Sequence, residues 1–230
     1  MPAILLIPGL NCSARVFFDQ IPVLWRYGPV TIADHRPGGT IAEIARNVLT
    51  SAPPSFVMLG FSLGGYIALE IMRQAPERVE KLILVATNAR PDTEELREKR
   101  QVRIARVEAG GFDEDLRVQF PNSVHPSRAG DEALFELYRT MAFETGSETF
   151  IRHSRAVAAR PDQRDLLPRI ACPTLVVAAE GDKIQSEAWT SELATGIPGA
   201  KKVTIAQSGH FLPIEQPERL NAVLAEWLGA

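Results

Sequence analysis

Short, uninterrupted apolar runs alternate along the chain with longer stretches in which apolar residues recur every three or four positions. The runs are Ala3–Ile7 (AILLI), Pro29–Ala33 (PVTIA), Phe56–Phe61 (FVMLGF), Lys81–Ala86 (KLILVA), Pro173–Ala179 (PTLVVAA) and Lys202–Ala206 (KVTIA). They predict strands buried on both faces of a parallel sheet, because a strand with one face in water would alternate apolar and polar positions. Between them, Ile41–Thr50, Leu63–Gln74, Gln185–Thr195 and Pro217–Leu228 read as helices, the last with Leu220, Val223, Leu224 and Trp227 on one face. This alternation predicts an α/β fold, a doubly wound and mostly parallel sheet with right-handed crossovers.

One interval breaks the pattern. From about Arg90 to Pro168 the chain is rich in Arg and Glu, keeps helical spacing and contains no strand-like run. Thr93–Ala109, Asp131–Ala142 and Ser147–Ala159 read as separate helices, punctuated by Gly110-Gly111, Pro121, Pro126 and Gly146. Strands resume afterwards, so residues 90–168 are expected to be a helical cap inserted into a core made of residues 1–89 and 169–230.

Composition narrows the function classes. With 45% apolar residues in 230 positions, disorder is excluded and a core of ordinary size needs no staple. The 25 Lys and Arg against 28 Asp and Glu leave a net charge of −3, without the basic excess that nucleic acid or an anionic membrane would demand. Cys12 and Cys172 make neither a disulfide framework nor a metal-ligand spacing. The opening apolar run is only five residues long, closed by Pro8-Gly9, too short for a signal peptide or a span. A cytoplasmic protein is expected, with no metal site and no partner in nucleic acid or membrane.

The sharpest chemical feature is Gly60-Phe61-Ser62-Leu63-Gly64-Gly65, a G-x-S-x-G sequence that ends a predicted strand and opens a predicted helix. That setting is the one a nucleophile elbow requires. Glycines two before and two after Ser62 let the backbone double back, lifting the hydroxyl clear of the sheet beside the free N–H groups of a helix start. A serine hydroxyl needs a general base to act as a nucleophile at neutral pH. Four histidines compete for that place: His35, His125, His153 and His210.

On the elbow and its context, the chain resembles the α/β-hydrolase-fold enzymes that carry a helical cap. The antiparallel edge that usually precedes the oxyanion loop is expected to be missing. In that fold the acid and the histidine follow the serine along the chain. Gly209-His210-Phe211-Leu212-Pro213-Ile214-Glu215-Gln216-Pro217 is similar to the family's G-H-x-x-x-x-E-x-P stretch, which implies His210 as the base. His125 and His153 fall in the insertion and read as surface or pocket lining. His35 stands where the family usually has D-x-R-G. Asp182, in Glu180-Gly181-Asp182-Lys183-Ile184, is similar to the family's acid loop, with Glu180 as the runner-up; the alternative acid position, Thr87-Asn88-Ala89, holds no carboxylate.

The resemblance also implies an oxyanion hole made by the backbone N–H groups of Leu63 and Leu10, although Pro8-Gly9 replaces the common His-Gly. Cys12, beside that loop, has no elbow of its own. Within the insertion, Phe120, Tyr138, Met141 and Phe143 are candidate walls of a substrate pocket, with Phe135 and Phe150 as further candidates, while Trp25, Trp189 and Trp227 read as core. The function implied is a serine hydrolase cleaving a small, partly apolar carboxylic ester, lactone or thioester through an acyl-enzyme, without cofactor. The same residues would serve a carbon–carbon bond hydrolase, a perhydrolase, an acyltransferase or a non-catalytic ligand receptor.

Overall fold

The structure is a computed structural model that describes residues 1–229. Its sheet has six strands, β1 (Ala3–Ile7), β2 (Val30–Ile32), β3 (Phe56–Phe61), β4 (Val79–Val85), β5 (Thr174–Ala179) and β6 (Lys201–Ile205). They lie in the order β2-β1-β3-β4-β5-β6, and every neighbouring pair runs parallel. The expected doubly wound sheet is therefore present. β3 and β5 are buried along their whole length, whereas β2 and β6 are half-exposed. A strand at a sheet edge has a neighbour on one side only, which corrects the expectation that these two runs were buried on both faces.

The helices follow as α1 (Ile21–Leu24), α2 (Ile41–Ser51), α3 (Leu63–Gln74), α4 (Glu94–Glu108), α5 (Phe112–Ser123), α6 (Glu132–Thr145), α7 (Ser147–Ala158), α8 (Glu187–Gly196), α9 (Leu212–Glu215) and α10 (Pro217–Gly229). Pleating sends successive side chains to opposite faces of the sheet. Leu5, Ile7, Met58, Leu82 and Leu84 pack with Ile44 and Val48 of α2, Ile67 and Ile71 of α3 and Leu193 of α8. Ile4, Leu6, Val57, Leu59, Ile83 and Val85 face the other way, in one cluster with Leu220, Leu224 and Trp227 of α10. That cluster continues without a break into Leu116, Phe120, Phe135 and Met141 of the insertion. Trp25, by contrast, is 63% exposed and not core; Trp189 is partly exposed.

Helices α4–α7 lie between β4 and β5. α5 has no counterpart among the helices expected from sequence, because Pro121 reads as a break; in the structure it falls in the helix's last turns. Asp113, Glu114 and Asp115 occupy its first turn, where carboxylates oppose the positive end of the helix dipole. Among the described residues, no helix is long and apolar enough to cross a membrane, and no cluster of side chains is arranged to hold a metal ion.

What positions the site is the reversal of strand order between β1 and β3. The chain leaves β1 toward β2 and returns on the other side, so the loops after β1 and β3 part at the carboxyl end of the sheet and open a crevice there.

Candidate active site

Ser62 sits in that crevice, between β3 and α3, with φ 53° and ψ −114°. This is a strained conformation for a residue bearing a Cβ. Three glycines make it possible. A Cβ on Gly60 would stand 2.4 Å from the Gly64 carbonyl oxygen, one on Gly64 2.0 Å from the Ile7 oxygen, and one on Gly65 2.3 Å from the Thr87 hydroxyl. The turn is tied down by Ser62 N–H donating to Val85 O (3.0 Å) and by the Thr87 hydroxyl donating to Ser62 O (2.9 Å).

The structure brings Ser62, His210 and Asp182 together. The Ser62 hydroxyl lies 2.7 Å from His210 Nε2, and His210 Nδ1 lies 2.8 Å from Asp182 Oδ2. The other carboxylate oxygen of Asp182 accepts the backbone N–H groups of Ile184 (2.7 Å) and Gln185 (2.9 Å). With both oxygens engaged, the carboxylate cannot rotate away from the imidazole. The imidazole and carboxylate side chains are 7% and 1% exposed, so water competes little for either contact. Glu180 is exposed and accepts the Gln207 N–H (3.2 Å), while the carboxylate bonded to His210 is that of Asp182.

The loop that delivers His210 is anchored by a buried carboxylate. Glu215 accepts the N–H of Gly209 (3.0 Å) and that of His125 (2.7 Å), and burial pushes its carboxyl above the ordinary range. Phe211 N–H donates to Ser123 O (3.0 Å), and a Cβ on Gly209 would fall 2.2 Å from the backbone of Val124 and His125. His125 thus meets this loop through its backbone.

On the opposite side of Ser62, the loop after β1 turns through Asn11 at φ 59° and is closed by Cys12 N–H donating to Gly9 O (3.2 Å). The same carbonyl accepts a second bond from His35 Nε2 (3.1 Å). A second imidazole, His153 of α7, donates from Nε2 to His35 O (2.9 Å), and the two rings lie 5.1 Å apart. Burial pushes His35 down to about 3 and His153 to about 4, so both are neutral at physiological pH. The expectation that His153 was surface or pocket lining is corrected: it is 1% exposed and packed on His35. Leu63 is the first residue of α3, where an N–H has no partner within the helix. Among the described residues the N–H groups of Leu10 and Leu63 donate to no protein acceptor. Cys12 is 1% exposed, with its thiol pushed strongly up by burial, so it holds no thiolate at neutral pH.

Ser62 and His210 open into a cavity of about 340 Å³ under the insertion. Leu10, Phe61, Leu63, Tyr138 and Phe211 form its apolar walls. Tyr138 is the one pocket candidate from the sequence that lines it; its hydroxyl accepts from Asn11 Nδ2 (3.2 Å). Phe120 and Met141 lie behind it in the core of the insertion, Phe120 with its ring 6.2 Å from that of Tyr138. Phe143 is 50% exposed, against Phe112 and beneath Arg139. Five positions after Tyr138, it is turned well away on a helix of 3.6 residues per turn, which removes it from the cavity. Missed from the sequence were Asn11, Gln185 and Lys183, and a stripe on α4 formed by Leu96, Lys99, Arg100 and Arg103. The spacing of that stripe, i, i+3, i+4 and i+7, was the available signal.

A parallel sheet whose third strand ends in a strained serine, met by an imidazole from beyond the last strand, is the architecture of the alpha/beta hydrolases. Residues 4–223 match the model of the alpha/beta hydrolase family, and the chain belongs to it. It is a hydrolase built on that fold. A protein of Azorhizobium caulinodans, provisionally named carbamate hydrolase RutD, is 29% identical over 98% of this chain and 91% of its own length. A thermophilic esterase from Thermogutta terrifontis, solved with malate bound, superposes with a TM-score of 0.89 at 28% identity over 100% of this chain and 90% of that one. The enol-lactonase of Burkholderia xenovorans LB400 superposes equally well, with a TM-score of 0.89, at 22% identity over 100% and 92% of the two chains.

Proposed function

We propose that the protein is a serine hydrolase of small, partly apolar carboxylic esters, lactones or thioesters. The observation that carries this reading is the unbroken hydrogen-bond chain from the Ser62 hydroxyl through His210 to Asp182. Ser62 attacks the acyl carbon while His210 Nε2 takes its proton, and Asp182 holds the ring in the tautomer that leaves Nε2 free to accept. The oxyanion of the tetrahedral intermediate sits between the N–H groups of Leu10 and Leu63, at a place where charge develops and water is scarce. His210 then protonates the leaving alcohol or thiol. It next draws a proton from the water that attacks the acyl-enzyme, which restores Ser62.

The four insertion helices act as a cap over the acyl pocket. The two free thiols, Cys12 and Cys172, fit an enzyme working in the reducing cytoplasm. The names of the esterase and lactonase neighbours support an acyl substrate. The name of the Azorhizobium relative adds carbamates, in which the attacked carbonyl is bonded to nitrogen, to the panel worth assaying.

The test uses the folded wild-type protein and Ser62→Ala. A fluorophosphonate probe is expected to label the wild type at Ser62 and to leave the variant unlabelled. p-Nitrophenyl acetate turnover is expected to fall at least about a thousandfold in the variant. A folded wild type that is neither labelled nor active, or a variant as active as the wild type, overturns the reading.

A further inference from the structure

A helix that roofs an apolar pocket ordinarily turns apolar residues toward it. α4 buries Ile104 and Val107 in the core but presents mostly charge to the cavity. Of its four residues on the cavity, Leu96, Lys99, Arg100 and Arg103, three are cationic, and Lys183 joins them from beyond β5. No Asp or Glu is among the described residues that line the cavity.

The buried carboxylates that hold the arginines of this wall are shared. Asp92, 2% exposed, accepts Arg100 Nε (3.0 Å) and Arg160 Nη1 (2.6 Å). Asp115, fully buried, accepts Arg103 Nη2 (2.8 Å) and Arg106 Nη1 (3.0 Å). Each group holds two guanidinium ions on one carboxylate, so each keeps one positive charge unbalanced. Those bonds also aim the side chains. Arg103 is fixed from one edge by Asp115 and from its face by the Phe150 ring, 5.0 Å away. Among the described residues, Nη1 and Nη2 of Arg100 and Nη1 of Arg103 donate to no protein acceptor. Lys99 is held by Glu95 (2.7 Å), an exposed pair of little strength that an incoming anion can replace.

We propose that the site selects esters or lactones that carry a free carboxylate, received by Arg100, Arg103 and Lys99 while the acyl carbon lies at Ser62. This rests on the serine-hydrolase reading and names its substrate class. A carboxylate matches the planar fork of a guanidinium, and in a partly closed cavity the bond is charge-assisted. An anionic ligand gains charge-assisted bonds from these donors that a neutral one of the same shape does not.

The experiment compares monomethyl glutarate with methyl 5-methylhexanoate, in which an isopropyl group replaces the carboxylate. The wild type is expected to favour the monoester by about tenfold in kcat/KM, equivalent to about 1.4 kcal/mol. The preference should shrink as ionic strength rises. In Lys99→Met/Arg100→Met, where Arg103 alone remains of the three, it should fall to about twofold to threefold; each buried carboxylate keeps an arginine partner there, so folding is retained. Glutarate itself, titrated calorimetrically, is expected to bind the wild type and to lose about tenfold in affinity for the double variant.

A neutral ester hydrolysed as well as the charged one, or a preference undiminished in the variant, overturns the proposal and leaves the serine-hydrolase reading intact. If neither ester is hydrolysed, the reading beneath it has failed for these substrates, and the glutarate titration still decides anion recognition. Equal binding to wild type and variant, or none to either, overturns it.

Discussion

His35 Nε2 lies 3.1 Å from the carbonyl oxygen of Gly9, and the N–H of the same peptide unit belongs to Leu10. In a trans peptide the C=O and N–H point in opposite directions. A donor that fixes the Gly9 oxygen therefore fixes the proposed oxyanion donor of Leu10, without touching it. His35→Ala is expected to lower kcat by about tenfold to a hundredfold while KM changes little, since the contact matters only where the oxyanion forms. His35→Gln, which can still offer an N–H, should recover part of the loss. Equal damage to kcat and KM, with no rescue by Gln, would mark His35 as packing alone.

The same histidine and its neighbour make stability sensitive to mild acid. An unfolded chain takes up a proton on each near pH 6.5, whereas the fold holds His35 and His153 down to about 3 and about 4. Between those values the unfolded state binds more protons, so stability is intact above about pH 6.5 and falls as pH drops toward 4. The loss at pH 5 is about 2 kcal/mol from each histidine. Tm measured from about pH 7.5 down to 5 should decline, and the decline should flatten in His35→Gln/His153→Gln. An unchanged slope would place the acid sensitivity elsewhere.

Glu215 satisfies two backbone N–H groups in the loop that carries His210. Glu215→Ala leaves both unpaired in a buried setting and is expected to cost about 2–4 kcal/mol in urea unfolding. It should also lower kcat, because Gly209 directly precedes the proposed base. Glu215→Gln keeps one acceptor oxygen and should fall between the two.

Gly64→Ala brings a Cβ to 2.0 Å from the Ile7 oxygen, which is backbone at the carboxyl end of β1, paired in register with β3, and cannot step aside. A loss of about 3 kcal/mol or more is expected. Gly39→Ala is the control, since its Cβ would meet only the flexible Glu43 carboxylate at 3.5 Å. Comparable unfolding midpoints for the two variants would show that the elbow tolerates what its geometry forbids.

Ser62 was legible from the sequence because its glycines meet a backbone demand within a few residues, whereas Asp182 and His210 were legible through the likeness of their loops to those of the family. The inner strands β1, β3 and β5 were legible because burial on both faces leaves almost no polar position in the run. The cavity walls were not. Which face of α4 turns inward depends on Asp92 and Asp115 pulling arginines into place, and a run of Arg and Glu reads equally well as solvated surface. Phe120, Met141 and Phe143 misled in the opposite sense, since an aromatic or methionine on a helix serves a core as readily as a pocket. His153 carried no signal at all, because its partner His35 lies 118 residues away.

The insertion looks like a module that could be exchanged to change specificity, but its seams run through the chemistry. Ser123 O accepts the Phe211 N–H and the His125 N–H donates to the Glu215 carboxylate, Gly209 leaves room for nothing larger against them, and His153 reaches the loop after β1 through His35. A chimaera that grafted a foreign roof at residues 90–168 would inherit the pocket of its donor and lose the supports of this one. Recombination within this scaffold therefore has to carry Ser123, the Val124-His125 backbone and His153 along with the graft.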